Sequence, residues 1–368
     1  MNSTTDASLQ AQSYQPLFKS PIESEEKSVT PEPLKALGTY QQELKAHLPQ
    51  EIFKRTPSRA LYLVGFLVLN AAIIYAITTL DLHWSLKILL GVVMGQFNAG
   101  MAFIAHETLH GGIVQSAWLQ NIIGSIGFGP FLVSQTYWRF WHNTLHHGNT
   151  QLIYKDPDAF PTLSVYKRSK FMKVVFELAP GSKNPVSYFY LFYWFSLQSV
   201  MNQVYMRFGN KMWEKMDHKR VTIEFSLIVL AIGAYLYGIG LENILYLAII
   251  PLFVQNYTVL SYILTNHNLS PLTKINDPLE NSLTVTTPKL WSILHLNFGY
   301  HVEHHLFPRV SGRHAKKIHE VLKLNYPGKY KYMPKWQALK LLYKTPRLYK
   351  NATELIHPKT LETHPTLQ

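Results

Sequence analysis

The strongest constraint on this chain is the stretch at 60–80, "ALYLVGFLVLNAAIIYAITTL", which contains no charged side chain. A helix of about 20 residues rises about 30 Å, the thickness of a bilayer's hydrocarbon core. In that medium the backbone must satisfy its own hydrogen bonds, so the stretch reads as a membrane-crossing helix. Three more follow. One covers about 86–106 and runs straight into His106; the others cover about 222–240 and 244–266, and the last stops just before His267. The connections within each pair are a few residues long, which predicts two transmembrane hairpins. Their tips carry only Lys87, whereas Lys54, Arg55 and Arg59 precede the first span, and Lys and Arg are dense over 138–220 and after 309. Cationic flanks stay on the cytoplasmic side, so both termini and the large middle loop are expected there.

Two other apolar stretches, 118–133 and 188–201, are interrupted by "GSIGFGPF" and dominated by "YFYLFYWF", respectively. Gly/Pro breaks and interfacial aromatics suit segments lying in the membrane plane. The formal charge of +13 surrounds apolar segments with no accompanying nucleic-acid motif, so it points to an anionic leaflet and not to nucleic acid. Residues 1–48 are polar, without an apolar face, and are expected to form a disordered cytosolic tail. No basic start followed by a short apolar core suggests a cleaved signal, which leaves the first span as the targeting anchor. A membrane domain is expected over 49–345 and a polar C-terminal tail over 346–368.

Cysteine is absent, which excludes disulfides, iron–sulfur ligation and thiolate metal sites. Histidine supplies the donors instead. His106 and His110 stand in "AHETLHGG", His142, His146 and His147 in "WRFWHNTLHHGNT", and His301, His304 and His305 in "FGYHVEHHLFP". Spacings of three and four place imidazoles on one helical face. "HETLH" by itself matches the zinc-protease signature, with Glu107 as base. A catalytic zinc takes three protein ligands, though, and eight imidazoles exceed that. The extended protease pattern is missing from "HETLHGGIVQS", and the apolar spans contain no aspartate. Two metal ions suit the supply better, with Glu107 orienting a ligand; iron, zinc, copper and nickel all accept imidazole.

The three boxes in this order, on this profile, resemble the membrane fatty-acid desaturase and hydroxylase superfamily over about residues 55–345. The wording of the second and third boxes is most similar to acyl-lipid desaturases. The resemblance implies two non-haem irons at the cytoplasmic membrane edge, held by the eight box histidines. With O2 they attack an unactivated methylene of an acyl chain. It also implies one more histidine near the end of the last span, and "SYILTNHNLSP" places His267 there. Parity agrees: His106, His142 and His267 share one side only if 118–133 and 188–201 do not cross. Among neighbouring residues, Asp156 and Asp158 in "KDPDAFPT" read as a turn, Glu303 as a group orienting a ligand histidine, Asn143 and Asn266 as interfacial polar residues, and His295, His314 and His319 as helix-surface residues. The aromatic cluster reads as an interface belt.

The expectation is therefore an all-α integral membrane enzyme: four transmembrane helices in two hairpins, in-plane helices, and a cytosolic cap bearing a di-iron site. It would desaturate the acyl chain of a lipid or acyl-CoA, in a bacterial inner membrane or the endoplasmic reticulum. Electrons would come from ferredoxin or from cytochrome b5 with its reductase, because no cysteine cluster, flavin motif or His-Pro-Gly-Gly signature is present. Carotenoid or alkyl hydroxylation is the alternative, and an intramembrane zinc protease or histidine-lined metal transporter is more remote.

Overall fold

The computed structural model describes residues 33–367. In chain order, the helices that build the site are α1 (Leu37–Lys45), α2 (Ala60–Thr79), α3 (Trp84–Leu109), α4 (Ala117–Phe128), α5 (His218–Ile239), α6 (Ile250–His267), α7 (His301–Leu306), α8 (Ala315–Asn325) and α9 (Lys335–Lys344). Among the described residues, four helical segments are long and apolar enough to cross a membrane: Pro57–Thr79, Trp84–Leu109, His218–Ile239 and Leu245–His267. They match the expected spans to within a few residues.

Burial shows how these helices are solvated. On α2, Leu63, Phe66, Asn70, Ile73 and Ile77 are buried, at alternating spacings of three and four. The other side exposes Leu61, Val64, Val68 and Tyr75. An apolar helix with an uncovered apolar face is stable in lipid and not in water. α5 goes further: Val221 and Ile239 are its only fully buried residues. α3 is the central helix and packs against the segment leading into α6. A Cβ on Gly91 would stand 2.5 Å from Tyr246 O, and one on Gly95 would stand 2.6 Å from Val254 Cβ, so only glycine permits this approach.

A polar chain crosses the same packing. Asn70 Nδ2 donates to Asn98 Oδ1 (2.9 Å), Asn98 Nδ2 to Gln255 Oε1 (2.7 Å), and Gln255 Nε2 to Pro130 O (2.7 Å). It ties α2, α3 and α6 to the segment after α4. The two ambiguous apolar stretches do not cross. α4 has 12 residues, about 18 Å of helix. The second is broken at Tyr193 into Pro185–Phe192 and Trp194–Met201, eight residues each.

Sheet is confined, among the described residues, to four three-residue strands. β1 (Thr284–Thr286) pairs in parallel with β2 (Tyr332–Pro334), and β3 (Glu354–Ile356) pairs antiparallel with β4 (Thr363–Pro365).

Both expected tails need correction. Residues 1–32 lie outside the described residues, but α1 is a packed helix. Tyr40 and Leu44 are buried with Leu306, Ile318 and Leu322, and Asp277 Oδ2 accepts from Lys35 N, Tyr40 Oη and Lys329 Nζ. Leu37, Tyr40 and Leu44 do stand at helical spacing, but three apolar residues in a polar segment make only a short signal. At the other end, Arg347, Leu348 and Tyr349 are fully buried, and Tyr349 Oη donates to Ser270 O at 2.7 Å. The segment 346–367 is a strap over the loop after α6.

Replacing Asn98 with Ala removes the middle of the polar chain and leaves Asn70 and Gln255 without these partners. The expected cost is about 1–2 kcal/mol, read as a lower Tm of the detergent-solubilised protein.

Candidate metal centre

The nine histidines converge at one end of the spans. His106 lies in the last turn of α3 and His110 is its C-cap. His267 ends α6, and α7 begins with His301 and carries His304 and His305. The second box occupies a helical run over 135–149 whose Arg139–His146 portion is a π-helix. Its i→i+5 bonding changes which side chains share a face. His142 Nε2 is therefore 3.1 Å from His147 Nε2, whereas His146, four residues from His142, turns to other partners.

Two sets result. Donor nitrogens of His106, His110, His142 and His304 lie within 4.8 Å of one another, and so do those of His146, His267, His301 and His305. His147 joins the first set, its Nε2 3.0 Å from that of His304, while its ring stacks on His305 at 4.3 Å between centroids. Within the sets, His106 and His142 Nε2 are 3.0 Å apart. His267, His301 and His305 form a triangle of Nε2 atoms with sides of 2.7, 3.2 and 3.2 Å.

This geometry suits cations. Each neutral imidazole has one N–H, so three Nε2 atoms facing each other cannot all be paired by hydrogen bonds. Imidazole nitrogens held about 2.1 Å from one cation stand about 3 Å apart. Among the described residues, His110 Nε2 and His301 Nδ1 are buried without a hydrogen-bond partner. Burial and the neighbouring histidines hold His110, His142, His147, His301 and His305 well below the ordinary imidazole range; His304 is pulled down to about 3 by the same causes. These rings are therefore neutral, the form that binds metal.

His146 is the exception. Burial pulls it down, but Asp156 and Asp158 outweigh that and hold it at about 8. Asp156 Oδ1 is 2.9 Å and Asp158 Oδ2 3.3 Å from His146 Nδ1, which leaves Nε2 for the set. Asp156 Oδ2 also accepts from Gln151 N. The motif read as a turn is thus a turn whose carboxylates hold a histidine. The acids assigned that task do something else. Glu107 Oε2 accepts from Arg59 Nη2 at 2.9 Å, and Arg59 also reaches Leu296 O. Glu303 accepts from Thr284 Oγ1 and the Tyr330 hydroxyl and lies 3.1 Å from His319 Nδ1. Neither bonds a box histidine.

Other readings change as well. His295 and His319 are buried, not on a helix surface: His295 Nδ1 meets Tyr262 Oη at 2.9 Å and its Nε2 meets Gln96 Oε1 at 3.0 Å. His314 is half-buried, as at a surface. Asn266 is buried beneath the interface, whereas Asn143 caps Leu109 O. Gln151, which the sequence did not single out, donates from Nε2 to His267 O at 2.7 Å. The aromatic cluster divides: Tyr188 and Phe189 are exposed, while Tyr190, Trp194 and Phe195 line a cavity of about 230 Å³. A second, smaller apolar cavity reaches the histidines between Phe103, Phe128, Trp138, Trp141 and Phe298.

Fold and site together define a class: a helical integral membrane protein with a polyhistidine centre, suited to metal, at the ends of its spans. The family described as "Fatty acid desaturase" matches residues 82–336, and the chain belongs to that family. It is 24% identical over 321 residues to the sn-1 oleoyl-lipid 12-desaturase of Picosynechococcus, covering 82% of this chain and 88% of that one. It is 22% identical to the chloroplastic omega-6 fatty acid desaturase of Spinacia oleracea, over 82% and 68% of the two chains. To the sn-1 acyl-lipid omega-3 desaturase (ferredoxin) of Nostoc it is 28% identical over 41% of each. The chain is an oxidoreductase of lipid metabolism, a membrane fatty-acid desaturase. A zinc protease would leave most of the histidines without a role, and transport sites sit near the bilayer midplane, not at helix ends.

Titrating chelator-stripped protein with a divalent metal should saturate at two ions per chain. Asp156→Asn should weaken one of the two sites 10–100-fold, measured by chelator competition, with the other site unchanged.

Proposed function

We propose that the protein is an O2-dependent di-iron desaturase of fatty acyl chains carried on membrane lipid. One iron would be held by His106, His110, His142, His147 and His304, the other by His146, His267, His301 and His305. The observation that carries the reading is two adjoining sets of histidines, with nearest nitrogens in each about 3 Å apart, beside an apolar cavity. Bound iron supplies, with O2, the oxidising power to remove two hydrogens from adjacent methylenes. Overall, R–CH2–CH2–R′, O2, two electrons and two protons give R–CH=CH–R′ and two waters.

The chain's own groups do the rest. Phe103 and Phe298 stack at 4.4 Å between centroids; with Trp138, they keep water from the acyl side of His106. Asp156 and Asp158 orient His146, and the carbonyl of His267 is held by Gln151. A lipid-borne substrate, and not acyl-CoA, is favoured by the relatives named oleoyl-lipid and acyl-lipid desaturases. The donor is external: no cysteine is available for a cluster, and ferredoxin is the first candidate because a relative's name specifies it, with cytochrome b5 the second. The basic flanks support a cytoplasmic location for both termini and the histidine centre.

Lipids from an expressing host should gain acyl chains lighter by two hydrogens. Alanine at His106, His146 or His304 should each reduce that product at least a hundredfold and lower bound iron; hydroxylated product with an unchanged acyl profile would favour the hydroxylase. A reporter inserted near residue 210 should be cytosolic and one at 82–83 or 240–243 external, as read by protease protection.

A further inference from the structure

The two cavities beside the histidine centre meet at a narrow set of shared side chains. Trp141, Phe195, Ile263 and Asp158 line both the small apolar cavity that reaches the histidines and the chamber of about 230 Å³ beyond it. Trp141 and Phe195 are buried, their rings 6.0 Å apart at 27°. Phe195 is braced from behind by Phe131, edge-on at 5.5 Å. Ile263 completes the opening from α6.

Trp141, Ile263 and Asp158 are tied to the centre, and Phe195 packs on Trp141. Trp141 directly precedes His142. Ile263 precedes His267 by four residues, about 6 Å along the helix. The indole Nε1 of Trp141 donates to Asp158 Oδ1 at 3.0 Å, and the other oxygen of the same carboxylate lies 3.3 Å from His146 Nδ1. One buried acid therefore fixes both a candidate metal ligand and the wall of the passage. A chain entering either cavity and extending into the other must pass this collar, at a distance from the histidines set by helical geometry.

We infer that Trp141, Phe195 and Ile263 are the positioning residues that decide which carbon–carbon bond of the acyl chain faces the centre, with Asp158 holding Trp141 in register. The inference rests on the desaturase reading. An acyl chain offers no polar group near its middle, so only shape can choose among methylenes of equal reactivity. An error of about 1 Å in presenting a reacting atom can cost a hundredfold in rate. A stacked pair of aromatic rings braced by a third supplies the required stiffness. Opening the collar lets the chain slide; narrowing it hinders passage.

The test uses the full-length, iron-loaded protein in lipid and two readouts. In the first, the double-bond position in host lipids is located by mass spectrometry of derivatised chains. Wild type should give one position, whereas Phe195→Ala should spread product over at least two, with bound iron unchanged. Phe195→Leu, which keeps bulk without the ring, covers the case in which the alanine variant fails to fold. Ile263→Phe should lower turnover at least tenfold with metal content retained. The second readout needs no turnover. A phosphatidylcholine carrying a mid-chain diazirine is photolysed with the same iron-loaded protein in the absence of any electron donor, and its crosslinks should fall on Trp141, Phe195 or Ile263. If wild type desaturates at one position and both Phe195 variants keep that position, or the crosslinks fall elsewhere, the collar inference is overturned. If wild type makes no double bond in any acyl chain, the desaturase reading itself fails.

Discussion

Nine imidazoles, six of them buried and three half-buried, are gathered into two adjoining sets, and the rest of the fold serves that juxtaposition. Burial holds most of the rings neutral, so each can present a lone pair. Neutral rings facing each other nitrogen to nitrogen have too few N–H groups to pair, and the arrangement makes chemical sense as a cradle for cations. Four separate parts of the chain must meet there: the end of α3, the π-helical second box, the end of α6, and α7. The π-helix gives the second box its particular use. By moving the repeat from four residues to five, it sends the consecutive His146 and His147 to different sets.

The membrane part supplies rigidity and orientation. Gly91 and Gly95 let α3 approach α6 and the turn before it at backbone distance, so that His106 and His267 finish close together. The Asn70–Asn98–Gln255 chain fixes that packing with polar contacts that have no competing water inside a bilayer. On the polar side, α7 is anchored by Glu303 through Thr284, Tyr330 and His319, and α1 and α8 cover it. The strap at 346–367 holds the loop after α6, where Tyr349 and Gln151 meet.

Much of this was legible before any coordinates. Four spans, two non-crossing apolar stretches and the nine histidines follow from apolar run length, from Gly and aromatic interruptions and from box spacing. All are local properties. The polar partners were misassigned because such roles depend on where a side chain ends up. Glu107 and Glu303 sit beside ligand candidates in sequence, yet their carboxylates face Arg59 and His319. Asp156 and Asp158, in a loop rich in turn formers, reach back to His146. α1 carries only a short apolar pattern, Leu37, Tyr40 and Leu44, and what holds it, a distant apolar cluster and Asp277 more than 200 residues away, is not local.

Residue order alone marks out four runs long and apolar enough to cross a membrane and puts the histidines at the same end of them. A helix crosses hydrocarbon only if it is long and nearly uncharged, and parity follows from counting such helices. Which imidazoles share a cation, which acid steadies His146, and where the two cavities narrow were decided only by the tertiary structure. Those features depend on distances of about 3 Å between groups far apart in the chain, and on a local change of helical repeat that residue spacing does not record.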